Sequence, residues 1–173
     1  FTQTSQQAVG FSGFGAFWGS ATASTSLTFA DGVLADTYDV YYVALASNAT
    51  FTATATGGSG VSATQPGGST QIRKVTCVAA SASTSNTVTI THDATTKTLL
   101  ILGVEPSLST AKQVLMGNAG SSGSSSAEWV SYPYDTITNT YGPIDAIKAY
   151  APDLSIIDLG INDAGAAMDV ATY

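Results

Sequence analysis

Residues 38–45 read Tyr-Asp-Val-Tyr-Tyr-Val-Ala-Leu. Aromatic and β-branched side chains dominate and few polar ones interrupt them, which is the composition of a strand. Tyr38, Tyr41 and Tyr42 therefore read as a packed row, not as a binding cluster. Outward from this run the same grammar repeats. Residues 51–56 (FTATAT) and 87–91 (TVTIT) alternate strictly, so one row of side chains points inward and the other outward. Residues 71–78 (QIRKVTCV) also alternate, with Ile72, Lys74, Thr76 and Val78 on one face and Arg73, Val75 and Cys77 on the other. Residues 98–104 (TLLILGV) are continuously apolar, as a strand buried on both faces should be. Gly57-Gly58-Ser59-Gly60, Pro66-Gly67-Gly68 and Asp93-Ala94 separate the runs as turns. Short strands at this spacing, without a helical period among them, predict a β-sandwich of the jelly-roll kind over residues 1–106.

Composition narrows the function. The chain has 173 residues, 12 Asp and Glu against 5 Lys and Arg, and a formal charge of −7. Five scattered cations do not make the basic surface that nucleic acid requires. No apolar run is long enough for a membrane-spanning helix. A single cysteine, Cys77, permits no intrachain disulfide and no cysteine-based zinc site, and no metal or other cofactor is expected. The single histidine, His92, sits in Thr91-His92-Asp93 at a strand-to-turn boundary and reads as a surface turn residue. Asp31, Asp36 and Asp39 match no calcium-binding spacing and read as turn residues. Asn48-Ala49-Thr50 is a glycosylation sequon that a Thr-rich chain produces by chance. Phe11, Phe14, Phe17 and Trp18 suit core or interface packing better than a sugar-stacking platform.

After residue 106 the pattern changes. Residues 113–116 (QVLM) form a short apolar strand that enters the Gly/Ser stretch 117–126, and residues 124–132 read as a helical turn or two. Residues 141–150 (YGPIDAIKAY) place Ile144, Ala146, Ile147 and Tyr150 at helical spacing, with Pro143 in the first turn and Pro152 as the stop. Residues 154–159 (LSIIDL) read as a compact buried strand, with Gly160-Ile161-Asn162-Asp163 at its carboxyl end. Strand, loop, helix, strand and loop predict a parallel α/β sheet over residues 107–173, with ligand contacts beyond the strand ends. Glycine N–H groups and an asparagine amide in such loops can stabilise a developing oxyanion.

Two segments in this half resemble a known family. Asn118-Ala119-Gly120-Ser121-Ser122-Gly123-Ser124 is similar to the second conserved block of the SGNH (GDSL-type) hydrolases, and residues 155–163, ending in Gly160-Ile161-Asn162-Asp163, are similar to the third. They stand in the family order with one helix between them. The resemblance implies a partial α/β flavodoxin-like hydrolase fold carrying an all-β jelly-roll insert, as in phage tail proteins and secreted carbohydrate esterases. It implies a serine esterase that deacetylates a carbohydrate, outside the cell or on a phage tail. Gly123 would donate its backbone N–H and Asn162 its side-chain amide to the oxyanion hole, while Asp163 and Gly160 would brace the loop.

The family's Gly-Asp-Ser nucleophile block and Asp-x-x-His base block do not occur in these residues. Ser121, Ser122 and Ser124 have no base to activate them. The expected nucleophile strand would lie between the two family strands, so the chain reads as an excerpt whose missing parts belong to the remainder of the same polypeptide. Two other readings stand beside the esterase. One is a non-catalytic glycan-binding module; the other is a structural tail or fibre component, for which analogy suggests a homotrimer.

Overall fold

The computed structural model describes residues 2–3, 17–19, 25–30, 32–44, 48–65, 71–93, 95–114 and 143–157. In chain order the strands are β1 (Thr2–Gln3), β2 (Phe17–Gly19), β3 (Ser26–Phe29), β4 (Ala35–Ala44), β5 (Phe51–Ala55), β6 (Val61–Ser62), β7 (Gln71–Ser83), β8 (Val88–His92) and β9 (Leu99–Ser107), followed by one helix, α1 (Pro143–Tyr150). They form two sheets, ordered β1-β2-β9-β4-β7 and β3-β8-β5-β6. Every described strand pair is antiparallel. From β2 to β9 the chain passes back and forth between the sheets, and the orders β2-β9-β4-β7 and β3-β8-β5-β6 are those of a jelly roll.

The alternating runs lie where their side chains require. In β5 and β8 the inward residues Phe51, Ala53, Ala55, Val88 and Ile90 are buried, and the threonines between them face outward. Cross-strand pairing carries this alternation across the sheet, joining Ala53 to Ile90 and Ile90 to Leu27. In β4 the inward residues Tyr38, Val40, Tyr42 and Ala44 belong to the main core, whereas Tyr41 and Val43 form a second cluster on the other face with Leu102. Tyr42 packs edge-on against Phe51 of the opposite sheet, with centroids 5.1 Å apart, and donates its hydroxyl to the Thr64 carbonyl at 3.0 Å.

One irregularity keeps both faces of β9 in phase. Tyr41 pairs with Gly103 but Tyr42 pairs with Ile101, so the register shifts at Leu102. Without that bulge, strict alternation from Leu99 and Ile101 would turn Gly103 inward and Val104 outward. With it, Val104 packs on the main core beside its partner Val40.

The expected α/β flavodoxin-like fold is corrected by these observations. Among the described residues the regular structure is two antiparallel sheets and one eight-residue helix, with no parallel pair. The expected buried strand at 154–159 fails over its described part. Among the described residues, 154–157 have no strand partner, and Leu154, Ile156 and Ile157 are 77%, 87% and 63% exposed. Apolar content alone does not make a strand, because an extended segment needs a neighbour for its backbone groups. The helix does form at the expected place. It ends at Tyr150, and the next residue, Ala151, has a φ of 52°, the left-handed conformation that commonly terminates helices, just before Pro152. Its last residue, Tyr150, packs against Tyr41 on the outer face of β4.

The turn after β5 brings backbone against backbone. A Cβ at Gly58 would lie 1.9 Å from the Val78 carbonyl oxygen of β7, which no side chain can occupy without displacing a strand. Gly58→Ala is therefore expected to destabilise the fold by about 1–3 kcal/mol, seen as a lower urea midpoint. An unchanged midpoint would show that the β5 turn does not press on β7.

Candidate functional site

The four residues singled out for the oxyanion loops, Gly123, Asn162, Gly160 and Asp163, lie outside the described residues. Of the aromatic residues near the amino end, Phe17 and Trp18 belong to β2, opposite Ile101 and Leu100 of β9; Phe11 and Phe14 lie outside the description. The described residues therefore include none of the expected catalytic groups. What it does show is three polar arrangements around the sandwich.

The first joins α1 to the outer face of the β4 sheet. Glu105 on β9 receives the Tyr150 hydroxyl on one carboxylate oxygen and the Tyr41 hydroxyl at 3.5 Å on the other. Burial pushes both phenols up, and the adjacent Glu105 and Asp39 carboxylates push the same way. Both hydroxyls accordingly keep their protons and act as donors, which makes this a bracket for the helix and not an acid–base pair. Lys74 of β7 lies 5.9 Å from the Tyr41 ring centroid and pairs with Asp39 at 2.6 Å. Asp39 also accepts from Thr76, so its role is in the sheet and not in a turn. Asp36, likewise expected in a turn, stands on β4 and accepts from the backbone and hydroxyl of Ser109 at 2.8 and 2.6 Å. Those bonds hold its carboxyl below the usual range.

The second arrangement is the solvent face of the β3-β8-β5-β6 sheet. Ser26, Thr91, Thr52 and Ser62 form one rank across four strands, and Thr28, Thr89 and Thr54 form the next. Neighbouring hydroxyls approach to 3.2 Å between Ser26 and Thr91 and to 3.4 Å between Thr52 and Ser62. These two ranks carry no charged side chain.

The third lies at the end of the sandwich, around His92 and Asp93. The expected surface position of His92 is corrected: the residue ends β8 and is 2% exposed. Its partner across the ladder is Phe51, and the inward phase of β8 carries it into the interior. Asp93 accepts from the Thr50 backbone and hydroxyl at 2.8 and 2.6 Å, and from the Thr95 backbone and hydroxyl at 2.9 and 2.5 Å. Burial alone would raise its carboxyl; the hydrogen bonds from Thr50 and Thr95 outweigh that and hold it far below the usual carboxylate range. The sequon is occupied by the same structure. Asn48 is 7% exposed and donates its amide to the Val43 carbonyl at 3.3 Å, while Thr50 is held by Asp93. A glycosyltransferase cannot reach that amide in the folded chain.

Among the described residues no group of three or more His, Cys, Asp and Glu converges as a metal site. Cys77 is buried with its thiol directed at the Tyr38 carbonyl, and burial pushes the thiol up, away from nucleophilic use. The signal for the His92–Asp93 arrangement was present in the sequence as Thr-His-Asp followed by Thr95, a local Asx pattern. Its burial was not, because that depends on the phase of β8.

Since Asp93 is held ionised, its contribution to stability is present above the ordinary carboxylate range and is lost as pH falls through its lowered folded value. Asp93→Asn is expected to lower the thermal midpoint at neutral pH and to flatten the loss of stability in acid. Parallel acid curves for variant and parent would contradict that role. Comparison with family models, curated proteins and solved structures gives no match to this chain.

Proposed function

We propose that the chain belongs to a serine esterase of SGNH type acting on an acylated carbohydrate, with residues 118–124 and 160–163 supplying oxyanion donors. The observation that carries this reading is the co-occurrence of both blocks, in order, with α1 (Pro143–Tyr150) between them. Attack of a serine on an ester carbonyl places negative charge on the carbonyl oxygen. A backbone N–H from Gly123 and the Asn162 amide are donors of the kind that stabilise that charge, each such donor being worth roughly 2.7–4 kcal/mol. Asp163 and Gly160 shape the loop. In this reading the nucleophile and the base come from sequence beyond residues 1–173, since neither motif occurs within them. The substrate meets the protein outside the cell or on a virion tail, where a charge of −7 favours solubility.

The uncharged hydroxyl ranks on the β3-β8-β5-β6 sheet favour a second reading, a glycan-binding module without catalysis. Turnover of p-nitrophenyl acetate separates the two. The polypeptide that carries this sequence together with a Gly-Asp-Ser and an Asp-x-x-His block is expected to release nitrophenol. Asn162→Ala should lower kcat by about 10²–10³-fold with little change in KM. Unchanged kcat would refute the oxyanion role, and glycan binding without turnover would support the second reading.

A further inference from the structure

The hydroxyl ranks on the solvent face of the β3-β8-β5-β6 sheet are not equivalent. In the first, Ser26 and Thr91 hydrogen-bond each other at 3.2 Å and Thr52 and Ser62 at 3.4 Å. In a third, Thr56 and Thr87 hydrogen-bond each other at 3.3 Å. Between them, Thr28, Thr89 and Thr54 stand side by side on β3, β8 and β5. Among the described residues their hydroxyls have no protein partner, so each keeps its donor and its acceptor sites for what lies outside the sheet. Beyond Thr54 this rank meets Gly60, where a Cβ would lie 3.1 Å from the Thr54 hydroxyl oxygen and 2.8 Å from the Thr52 methyl. The glycine leaves the rank open at its β6 end.

Charge and spacing limit what fits this rank. The three ranks hold only serine and threonine side chains, and the chain as a whole carries −7. A polymer of uronic acids would be repelled, with no cation in these ranks to offset it. Neighbouring strands stand about 4.8 Å apart, which is close to the advance of one pyranose ring along an extended β-1,4-linked chain. A glycan laid across the strands therefore keeps step with them and brings one sugar over each threonine. Each threonine then offers its hydroxyl to the sugar hydroxyls and its methyl to the ring C–H groups. The flanking ranks, bonded within themselves, border this track.

We propose that Thr28, Thr89 and Thr54 form the track of an uncharged, extended β-1,4-linked polysaccharide that runs across the strands, one sugar to a strand. The inference rests on the glycan-binding reading above and adds to it the face, the direction of the chain and its charge class. It is independent of the esterase chemistry.

Amide NMR titration of the full chain tests this, with cellohexaose, mannohexaose and xylohexaose as neutral probes and hexagalacturonate as the charged comparison. At least one neutral probe is expected to bind saturably, shifting the amides of Thr28, Thr89 and Thr54 more than those of β4. Hexagalacturonate should bind at least about tenfold more weakly. Thr54→Val and Thr89→Val keep the β-branched shape that suits a strand, and together they should weaken binding by at least about tenfold. If none of the neutral probes binds, the track and the glycan-binding reading fall together. Shifts on another face, binding undiminished by the paired substitution, or equal binding of hexagalacturonate overturns the track and leaves that reading standing. Shifts in this rank that grow with protein concentration in the absence of glycan would assign the face to a second copy of the chain and overturn the track as well.

Discussion

The burial of β4 on both of its faces organises the rest of the molecule. Hydrogen-bonded to β7 on one side and β9 on the other, it turns Tyr38, Val40, Tyr42 and Ala44 into the space between the sheets. Its other face sets Tyr41 and Val43 against Leu102 and Tyr150. Side chains of this size each gain roughly 1.5–3 kcal/mol from full burial, so a strand covered twice contributes more than any edge strand. Both neighbours must then keep their own inward rows aligned with it. The bulge at Leu102 does this for β9, and the pairing of Val40 with Val75 and Tyr38 with Cys77 does it for β7.

Polar groups close the sandwich where the apolar rows end. Asn86 donates to the Ala35 and Ser81 carbonyls and so ties the turn after β7 to the start of β4. Asp36 holds the segment after β9, and Asp93 holds the entrance to β5. Each hydrogen-bonds backbone N–H or C=O groups where a strand meets a loop. These three side chains thus serve loop closure.

Much of the sandwich was legible in the sequence. Strict alternation at 51–56 and 87–91 marks β5 and β8, and the apolar run at 98–104 marks a strand covered on both sides. The helical spacing at 143–150, with Pro143 and Pro152 at its limits, marks α1. The misreadings share a cause. His92 was placed at the surface by its neighbour Asp93, although the inward phase of β8 sets its position. The run 154–159 reads as a buried strand by composition, but burial requires a partner, and Leu154, Ile156 and Ile157 are exposed. The parallel sheet expected over residues 107–173 is likewise not found among the described residues. Gly123 and Asn162 were legible only as parts of motifs, and it is as motif residues that they support the proposed chemistry.

The sandwich is centred on β4, which is covered on both faces. Native-state hydrogen exchange of the Tyr38–Ala44 backbone measures this directly. The amides of Val40 and Tyr42 should exchange only through global unfolding, with the highest protection in the chain, and those of β3 and β6 should exchange by local opening. Protection in β4 no greater than in these edge strands would contradict the account.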